Sequence, residues 1–245
     1  MEHGKVVTVY VIGENVDIHP FFIGQSIGEI YAMNIVDTNI NFEYKDSSYR
    51  LELSEEDINT NPLIKINHNF VQLYIDKFTG KLSSIRLMDA PTLIKIRPYE
   101  LLFRGELLEP PTKFAIDEKR LKVVQERQIY ELTNIIRSRF EAGVLEKDED
   151  AAKVAYGHSV DMYESADFSH TSQKYGEVPD RLKEGGVSFL SSGENIANHS
   201  IDAADVVEGW FGSKEYRENL LNEDFTHFGV GVYKNYYTQV FIQKP

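Results

Sequence analysis

The stretch SSGENIANHS, residues 191–200, holds a single acid, Glu194, between Gly193 and Asn195 in a run of small and polar residues. An isolated glutamate in such surroundings is usually a solvated loop residue, because a carboxylate that leaves water needs a partner. A functional carboxylate would need neighbours in space that hold it or use it. The segments on either side of this stretch have to supply those neighbours.

Length and composition indicate a folded, acidic protein of one large or two ordinary domains. The chain has 245 residues, 42% of them apolar, with 14 Phe, 14 Tyr and no Cys. The absence of cysteine excludes disulfides, thiolate zinc sites and cysteine nucleophiles. The net charge is −13 and Lys and Arg do not cluster, so we expect no nucleic-acid partner. No stretch approaches the roughly 18 apolar residues of a membrane-spanning helix, so we predict no transmembrane segment in this chain.

The first half of the chain predicts a mostly antiparallel α+β domain. The β-branched run at residues 6–12 indicates a strand, and the alternation in FEYKDSSYRLEL, residues 42–53, indicates a hairpin. Residues 70–87 predict a second hairpin. Ser26, with Glu29 three residues later, predicts a capping box at the start of a short helix.

An internal repeat bears on where the chain begins. GKVVTVYVI at residues 4–12 matches GKLSSIRLM at residues 80–88 in its Gly, its Lys and its apolar pattern. The second copy follows a strand that can pair with it, whereas the first copy has almost nothing before it. We therefore expect the chain to begin inside a domain, with a signal or anchor outside it. A coincidental strand motif is the alternative.

The segment LLEPPTK, residues 107–113, predicts a linker, because two consecutive prolines favour extended backbone and cannot lie inside a helix. The expected organisation is a partial N-terminal domain over 1–109, a linker over 110–119 and a C-terminal domain over 120–245.

The C-terminal domain changes to a helical apolar period. We predict three helices. The first has an inward face formed by Ile129, Leu132, Ile135 and Ile136, the second covers residues 148–165, and the third runs from Ser200 to Trp210. Two runs near the end of the chain, FGVGVYK and YYTQVFIQ, predict strands. Helices packed on a small antiparallel sheet are the simplest arrangement.

Seven short motifs follow one another in order in this domain. They are HSVDM (158–162), FSH (168–170), DRLKEGGV (180–187), GENIA (193–197), W-x-x-S-x-x-Y-R-x-N-L-L from Trp210, FTHFGVGVY (225–233) and YYTQVF (236–241). Together they resemble the CAP superfamily of cysteine-rich secretory, antigen-five and pathogenesis-related-one proteins, in its cysteine-free bacterial, SCP-like form. The first half resembles the CAP-associated domain of secreted proteins from Gram-positive, spore-forming bacteria.

The resemblance implies a fold, a location and a site. CAP domains are α-β-α sandwiches around a three-stranded sheet, so the expected class is α+β. The expected location is extracellular or associated with the cell envelope. The family's cleft contains a histidine and an acid from the motifs FSH and GEN, which are His170 and Glu194 in this sequence.

This sequence departs from the family pattern at the remaining cleft positions. The second acid of the cleft in eukaryotic members corresponds to a position near Ser213. The second histidine of the eukaryotic cleft, in the last motif, is replaced here by Tyr236, and the histidine common in bacterial members is replaced by Tyr216. With Asn195, these complete the candidate binding residues. His170 and Glu194 are the only candidate ligands left for zinc or calcium, and structural or catalytic zinc usually needs three or four protein ligands.

A serine-hydrolase triad is a weaker interpretation. Ser159 and Asp161 could join His170, but no G-x-S-x-G elbow accompanies them.

Three further histidines and one acidic run have simple structural explanations. His158 shares a helical face with apolar residues and is expected to be a core or capping histidine, while His199 and His227 are expected in solvated loops. The acidic run EKDED, residues 146–150, predicts a helix start rather than a calcium loop, because it lacks the alternating ligands and the glycine of an EF-hand.

Two functions remain open. The favoured one is a secreted or surface-attached module that binds a lipid, glycan or protein ligand in the His170 and Glu194 cleft without chemistry. The alternative is a metal-assisted, protease-like hydrolase with Glu194 as general base and His170 as ligand or orienting group. The ligand, the catalytic residues and any enzymatic activity are left undetermined by the sequence.

Overall fold

The structure is a computed structural model that describes residues 4–33, 35–110 and 117–245. Contacts within the chain divide it into two units, Met1–Lys113 and Phe114–Pro245. Most of the predicted linker, residues 111–116, lies outside the described residues.

The first unit contains two antiparallel sheets with strand orders β1-β6-β5-β4 and β2-β3-β7. Its strands are β1 (Thr8–Val11), β2 (Asn39–Tyr44), β3 (Ser47–Glu52), β4 (Leu63–Ile66), β5 (Asn69–Asp76), β6 (Lys81–Asp89) and β7 (Glu100–Arg104), and its helices are α1 (Ile27–Ala32), α2 (Glu55–Thr60) and α3 (Ala90–Ile96). Both predicted hairpins are present, as β2 with β3 and β5 with β6. The predicted capping box is also present, with Ser26 and Glu29 bonded reciprocally at the start of α1.

The two copies of the internal repeat lie side by side in the first sheet. Strand β1, in the first copy, pairs antiparallel with β6, in the second copy, with Thr8 opposite Met88 and Val11 opposite Ile85. The two copies are therefore neighbours in one sheet, with β1 at its edge.

The second unit contains one four-stranded sheet of order β8-β10-β11-β9, in which only β8 runs parallel to its neighbour. Its strands are β8 (Glu146–Lys147), β9 (Ser191–Asn198), β10 (His227–Tyr233) and β11 (Tyr236–Gln243), and its helices are α4 (Glu118–Arg139), α5 (Glu149–Ser165), α6 (Val178–Glu184), α7 (Ala203–Gly212) and α8 (Lys214–Leu221). The resemblance implied three strands, and the two-residue strand β8 is the addition. The acidic run at 146–150 contributes β8 and the start of α5, with Asp148 as the N-cap.

The helices cover both faces of this sheet. Helix α5 lies so close to β10 that a Cβ on Gly229 or Gly231 would fall 2.1 Å or 2.0 Å from its backbone nitrogens. On the opposite face, Tyr237 and Gln239 of β11 are hydrogen-bonded to Gln125 and Thr133 of α4. The predicted α+β class and α-β-α sandwich are therefore confirmed.

Two helical details differ from the prediction. Ile135 is 37% exposed, because the inward face of α4 includes polar positions: the buried residues of this helix are Gln125, Ile129, Thr133, Ile136 and Arg137. Helix α7 is capped by Asp202, whose side chain accepts from the Asp205 N–H, rather than near Ser200.

In the part of the chain that the structure describes, no helix combines the length and the apolar character needed to cross a bilayer, as the sequence predicts.

Candidate functional site

Glu194 lies in a strand, not in a solvated loop. It belongs to β9, at the edge of the sheet, and only 5% of its surface is exposed. Side chains alternate along a strand, so Gly193 and Asn195 face α8 while Glu194 faces the other way. Gly193 has to be small, because a Cβ there would lie 2.7 Å from Oδ1 of Asn219. The loop interpretation is therefore wrong for Glu194.

Both carboxylate oxygens of Glu194 are bonded. Nδ1 of His170 donates to Oε1 at 2.9 Å, and Nη2 of Arg181 donates to Oε2. Arg181 is itself only 5% exposed, so the carboxylate and the guanidinium form a buried ion pair. Burial of either charge alone would be costly, and each makes the burial of the other possible.

Arg181 is the functional residue that the sequence prediction missed. It lies in α6, where Nη1 also donates to the carbonyl oxygens of His170 at 2.9 Å and Gly176 at 2.7 Å. One guanidinium therefore fixes both the acid and the backbone of its histidine partner. The sequence contained two indications of this role: the motif DRLKEGGV includes an arginine, and a buried glutamate needs a cation as its partner.

His170 connects this buried pair to the surface. Its side chain is 48% exposed, and Nε2 lies 3.3 Å from the hydroxyl of Tyr216. The carboxylate can only accept, so Nδ1 carries a proton, and in the neutral ring Nε2 can accept from the Tyr216 hydroxyl. Burial raises the pKa of Tyr216, and the charges of Glu194 and Glu215 add to this effect. Tyr216 therefore remains a neutral hydrogen-bond donor.

A cavity of about 350 Å³ opens at this point, and we name it the His170 niche. Residues that line it include His170, Thr171, Val178, Glu194 and Tyr216. Two further acids, Glu177 and Glu215, also contribute to its wall. The niche thus combines an imidazole, a phenol and several carboxylates.

Family models match both halves of the chain. The family model described as "CAP-associated N-terminal" matches residues 1–99, and that of the "Cysteine-rich secretory protein family" matches residues 130–244. The uncharacterized membrane protein YlbC of Bacillus subtilis (strain 168) is 50% identical over 244 residues, covering 99% of this chain and 70% of that protein. The chain belongs to the CAP family.

Further relatives cover the chain to different extents. The uncharacterized protein YkwD of Bacillus subtilis (strain 168) is 39% identical over 121 residues, which are 49% of this chain and 47% of YkwD. A crystal structure of an extracellular protein containing an SCP domain from Bacillus anthracis superposes with a TM-score of 0.90 at 42% identity, covering 98% of this chain and 78% of that one. A cysteine-rich secretory protein from Staphylococcus aureus gives 0.84 at 26% identity, covering 100% and 80%.

The remaining candidate residues of the CAP domain have different positions. Asn195 is fully buried and donates to the Tyr216 carbonyl at 3.1 Å. It therefore holds the backbone of Tyr216 in place and does not itself line the niche. Ser213 lies between α7 and α8, outside the residues that line the niche.

Tyr236 is not brought to the His170 and Glu194 pair. Glu194 is opposite Val240 in β11, and Tyr236 precedes Val240 by four residues, which is roughly 13 Å along a strand. The ring of Tyr236 contacts Tyr163 and His199 instead. Tyr216 is the tyrosine that meets His170.

The side chains around His170 and Glu194 do not form a binding site for a divalent cation. Among the described residues, no group of three or more His, Cys, Asp or Glu side chains is arranged to hold a metal ion. Arg181 already neutralises one oxygen of Glu194, and a zinc or calcium ion would have to compete with this fixed positive charge.

The serine-hydrolase triad is also excluded by geometry. Ser159 is fully buried and donates to the Gly231 carbonyl at 2.9 Å, which ties α5 to β10. It cannot meet a substrate in that position.

The other histidines of the CAP domain differ in exposure. His158 is 1% exposed, with Nε2 at 3.0 Å from the Ser169 carbonyl, as expected of a core histidine. His199 is exposed after β9, as predicted. His227 is not in a solvated loop: it begins β10, and its ring bonds Thr226 at 2.8 Å.

Proposed function

We propose that this protein is a binding module of the bacterial cell surface, and that its CAP domain holds a polar ligand in the His170 niche. The supporting observation is that both oxygens of Glu194 are occupied, one by Arg181 and one by His170. A carboxylate in this state orients an imidazole and is not free to activate water. His170 and Tyr216 are then the groups that meet a ligand.

The ligand is a lipid, a glycan or a protein of the cell surface. The acids Glu177 and Glu215 in the wall of the niche favour ligands that donate hydrogen bonds, and they disfavour anions. We propose that the protein acts outside the cell or at the cell envelope. The Bacillus anthracis relative is described as extracellular and the Bacillus subtilis relative YlbC as a membrane protein, and an envelope location is compatible with both.

We further propose that residues 1–109 form the CAP-associated domain and residues 120–245 the CAP domain, joined by a linker over 110–119. The family matches over 1–99 and 130–244 support these bounds. A role in presenting the His170 niche to a surface would suit the N-terminal domain.

A binding experiment tests the function. The full chain, labelled for detection, is titrated against purified cell-wall fragments and against lipid vesicles. We expect His170→Ala and Tyr216→Phe to weaken saturable binding to one of these preparations. His199→Ala, which removes an exposed histidine outside the niche, is the matched control and should bind like the unmodified protein. If both niche variants also bind like the unmodified protein, the proposed site is wrong.

One observation favours a second function, hydrolysis. The bond from Nδ1 of His170 to Glu194 directs Nε2 outward, and a general base of the imidazole type has this arrangement. His170, rather than Glu194, would then take the proton. Ester and peptide substrates are screened with the unmodified protein and with both histidine variants. Turnover that disappears in His170→Ala and persists in His199→Ala would replace the binding proposal by a hydrolase.

A further inference from the structure

The three-stranded sheet of the first unit ends in an edge strand with exposed apolar residues. In the part of the chain that the structure describes, β7 (Glu100–Arg104, ELLFR) has only β3 as a neighbour, and we call its other side the open edge. Leu102 and Phe103 of β7 are 48% and 47% exposed. The strand contains no Pro or Lys and pairs with β3 over five consecutive residues. It therefore lacks several of the devices that prevent an edge strand from pairing with another chain.

Half of the backbone groups of β7 point to the open edge. The N–H of Leu53, next to β3, donates to the residue that precedes β2, at 2.9 Å. The direction of hydrogen bonding alternates along an antiparallel strand, so Arg50, three residues earlier, faces β7, where it is opposite Leu102. The residues on either side of Leu102 are Leu101 and Phe103. They therefore direct their N–H and C=O groups away from β3.

The opposite edge of the same sheet is protected. The exposed side chains of β2 are polar: Asn39, Asn41 and Glu43. By the same alternation the carbonyl of Asn41 points outward, and it accepts from Nζ of Lys65 at 3.3 Å. Polar side chains and a lysine at an edge obstruct the addition of another strand. Of the two edges of this sheet, β7 is the one that can accept a strand.

We propose that β7 is an interaction surface for a second copy of this chain, and that the two β7 strands pair antiparallel about a twofold axis at Leu102. Leu102 then lies opposite its own counterpart, and Leu101 of each copy lies opposite Phe103 of the other. Because Leu101 and Phe103 face the open edge, each such pair can exchange both backbone hydrogen bonds. The two three-stranded sheets become one continuous sheet, closed by the twofold symmetry.

The charges at the two ends of β7 favour this occupant and this register. In the twofold arrangement Glu100 of each copy lies opposite Arg104 of the other, which places opposite charges at both ends of the pairing. Within one copy these two residues are four positions apart, about 13 Å along a strand, so they cannot pair with each other. An axis at Phe103 would place Glu100 opposite Glu106, and like charges directly opposite are destabilising.

A second copy would also offset a repulsion between β3 and β7. Glu100 is directly opposite Glu52. Arg50 is paired with Glu52 at 2.9 Å, and Glu100 has no ion-pair partner among the described residues. Arg104 of the second copy would provide this missing partner.

The test is sedimentation velocity of the full chain over a range of concentrations, in which we expect a reversible equilibrium of monomer and dimer. Glu100→Arg and Arg104→Glu each place like charges opposite each other at both ends of the pairing. Each should raise the dissociation constant roughly tenfold or more, which corresponds to about 1.4 kcal/mol. Glu43→Arg makes the same charge change on β2 and is the matched control, which should leave the dimer unchanged. All three positions are exposed, so we expect the variants to fold.

Mixing the two charge variants tests the register. In a mixed dimer the arginine introduced at position 100 lies opposite the glutamate introduced at position 104, and the unchanged Arg104 and Glu100 lie opposite each other. Association should therefore recover to about the strength of the unmodified chain. Phe103→Thr keeps a strand former but removes an exposed ring, so it should weaken the dimer. Amide hydrogen exchange at Leu101 and Phe103 should slow as the unmodified chain is concentrated, and less so in Glu100→Arg.

Four outcomes overturn the proposal. A chain that stays monomeric up to roughly 1 mM would mean that the open edge is left free or is covered by something other than a second copy. Growth beyond a dimer would contradict a closed twofold contact. A dimer that neither charge variant weakens would use another surface, and a mixture that associates no better than either variant alone would exclude this register. None of these variants changes a residue of the His170 niche, so the proposed function is tested separately.

Discussion

A buried carboxylate needs a cation, and Arg181 supplies it to Glu194. We expect Arg181→Met to lower the free energy of unfolding by about 3–5 kcal/mol, because the carboxylate would remain buried and uncompensated. The carbonyls of His170 and Gly176 would also lose a donor. Urea unfolding measures the change.

The control for this pair is the double variant Arg181→Met with Glu194→Gln. Removal of both charges should recover part of the lost stability, because no lone charge is then buried. A double variant as unstable as the sum of the single ones would contradict a coupled ion pair.

His158 makes stability depend on pH in one direction. Burial lowers its pKa in the folded state below the ordinary value of 6.5, so the unfolded chain binds a proton more readily. The free energy of unfolding should therefore fall as the pH decreases below 6.5, and it should be unaffected by this group above that pH. Urea midpoints at several pH values between 5 and 8 measure the effect. In His158→Gln the decrease over this window should be smaller, and an identical decrease would assign it to other groups.

At the scale of elements, the CAP sheet depends on two glycines in β10. A Cβ on Gly231 would lie 2.0 Å from the backbone nitrogen of Tyr156, so Gly231→Ala must push α5 away from the sheet. We expect a loss of about 1–3 kcal/mol or more in the free energy of unfolding, as for other overpacked cores. Gly209→Ala, in open space on α7, should be neutral or stabilising by up to about 1 kcal/mol. Equal effects of the two substitutions would contradict the close contact.

Elements with local causes could be predicted from the sequence, and those with distant causes could not. The capping box of α1 requires only Ser26 and Glu29, three residues apart, and it was correct in detail. Arg137 is a charged residue that is 1% exposed. Its guanidinium donates to the carbonyls of Ala142, Gly143, Leu220 and Asn222, and the last two are distant in sequence. No helical period indicates such partners.

The same distinction applies to the site. The pairing of His170 with Glu194 was predicted from family motifs and not from any periodicity. In the structure Nδ1 of His170 lies 2.9 Å from Oε1 of Glu194. Motif matching also selected Tyr236, because YYTQVF resembles a family motif, although its register on β11 takes it away from Glu194. Arg181 was missed because its role depends on which helix covers β9. Residue types were therefore predictable, whereas the charge balance of the site required tertiary structure.

At the scale of the whole molecule, each unit contains its own hydrophobic clusters, including Leu51 and Leu73 in the first unit and Ala151 and Val240 in the second. A unit with its own core can fold alone. We expect the fragment 114–245 to unfold cooperatively in urea. The chain has a single tryptophan, Trp210, which is 1% exposed and belongs to the second unit, so its fluorescence reports on that unit in both proteins.

The midpoint of the Trp210 transition should be similar in the fragment and in the full chain, because the Trp210 side chain is held within its own unit by a 2.9 Å bond from Nε1 to the Ile196 carbonyl. Circular dichroism of the full chain should show an additional change from the first unit. A fragment without a cooperative transition, or with a much lower midpoint, would mean that the CAP domain depends on residues 1–113 for its stability. Binding experiments on the His170 niche would then require the full chain.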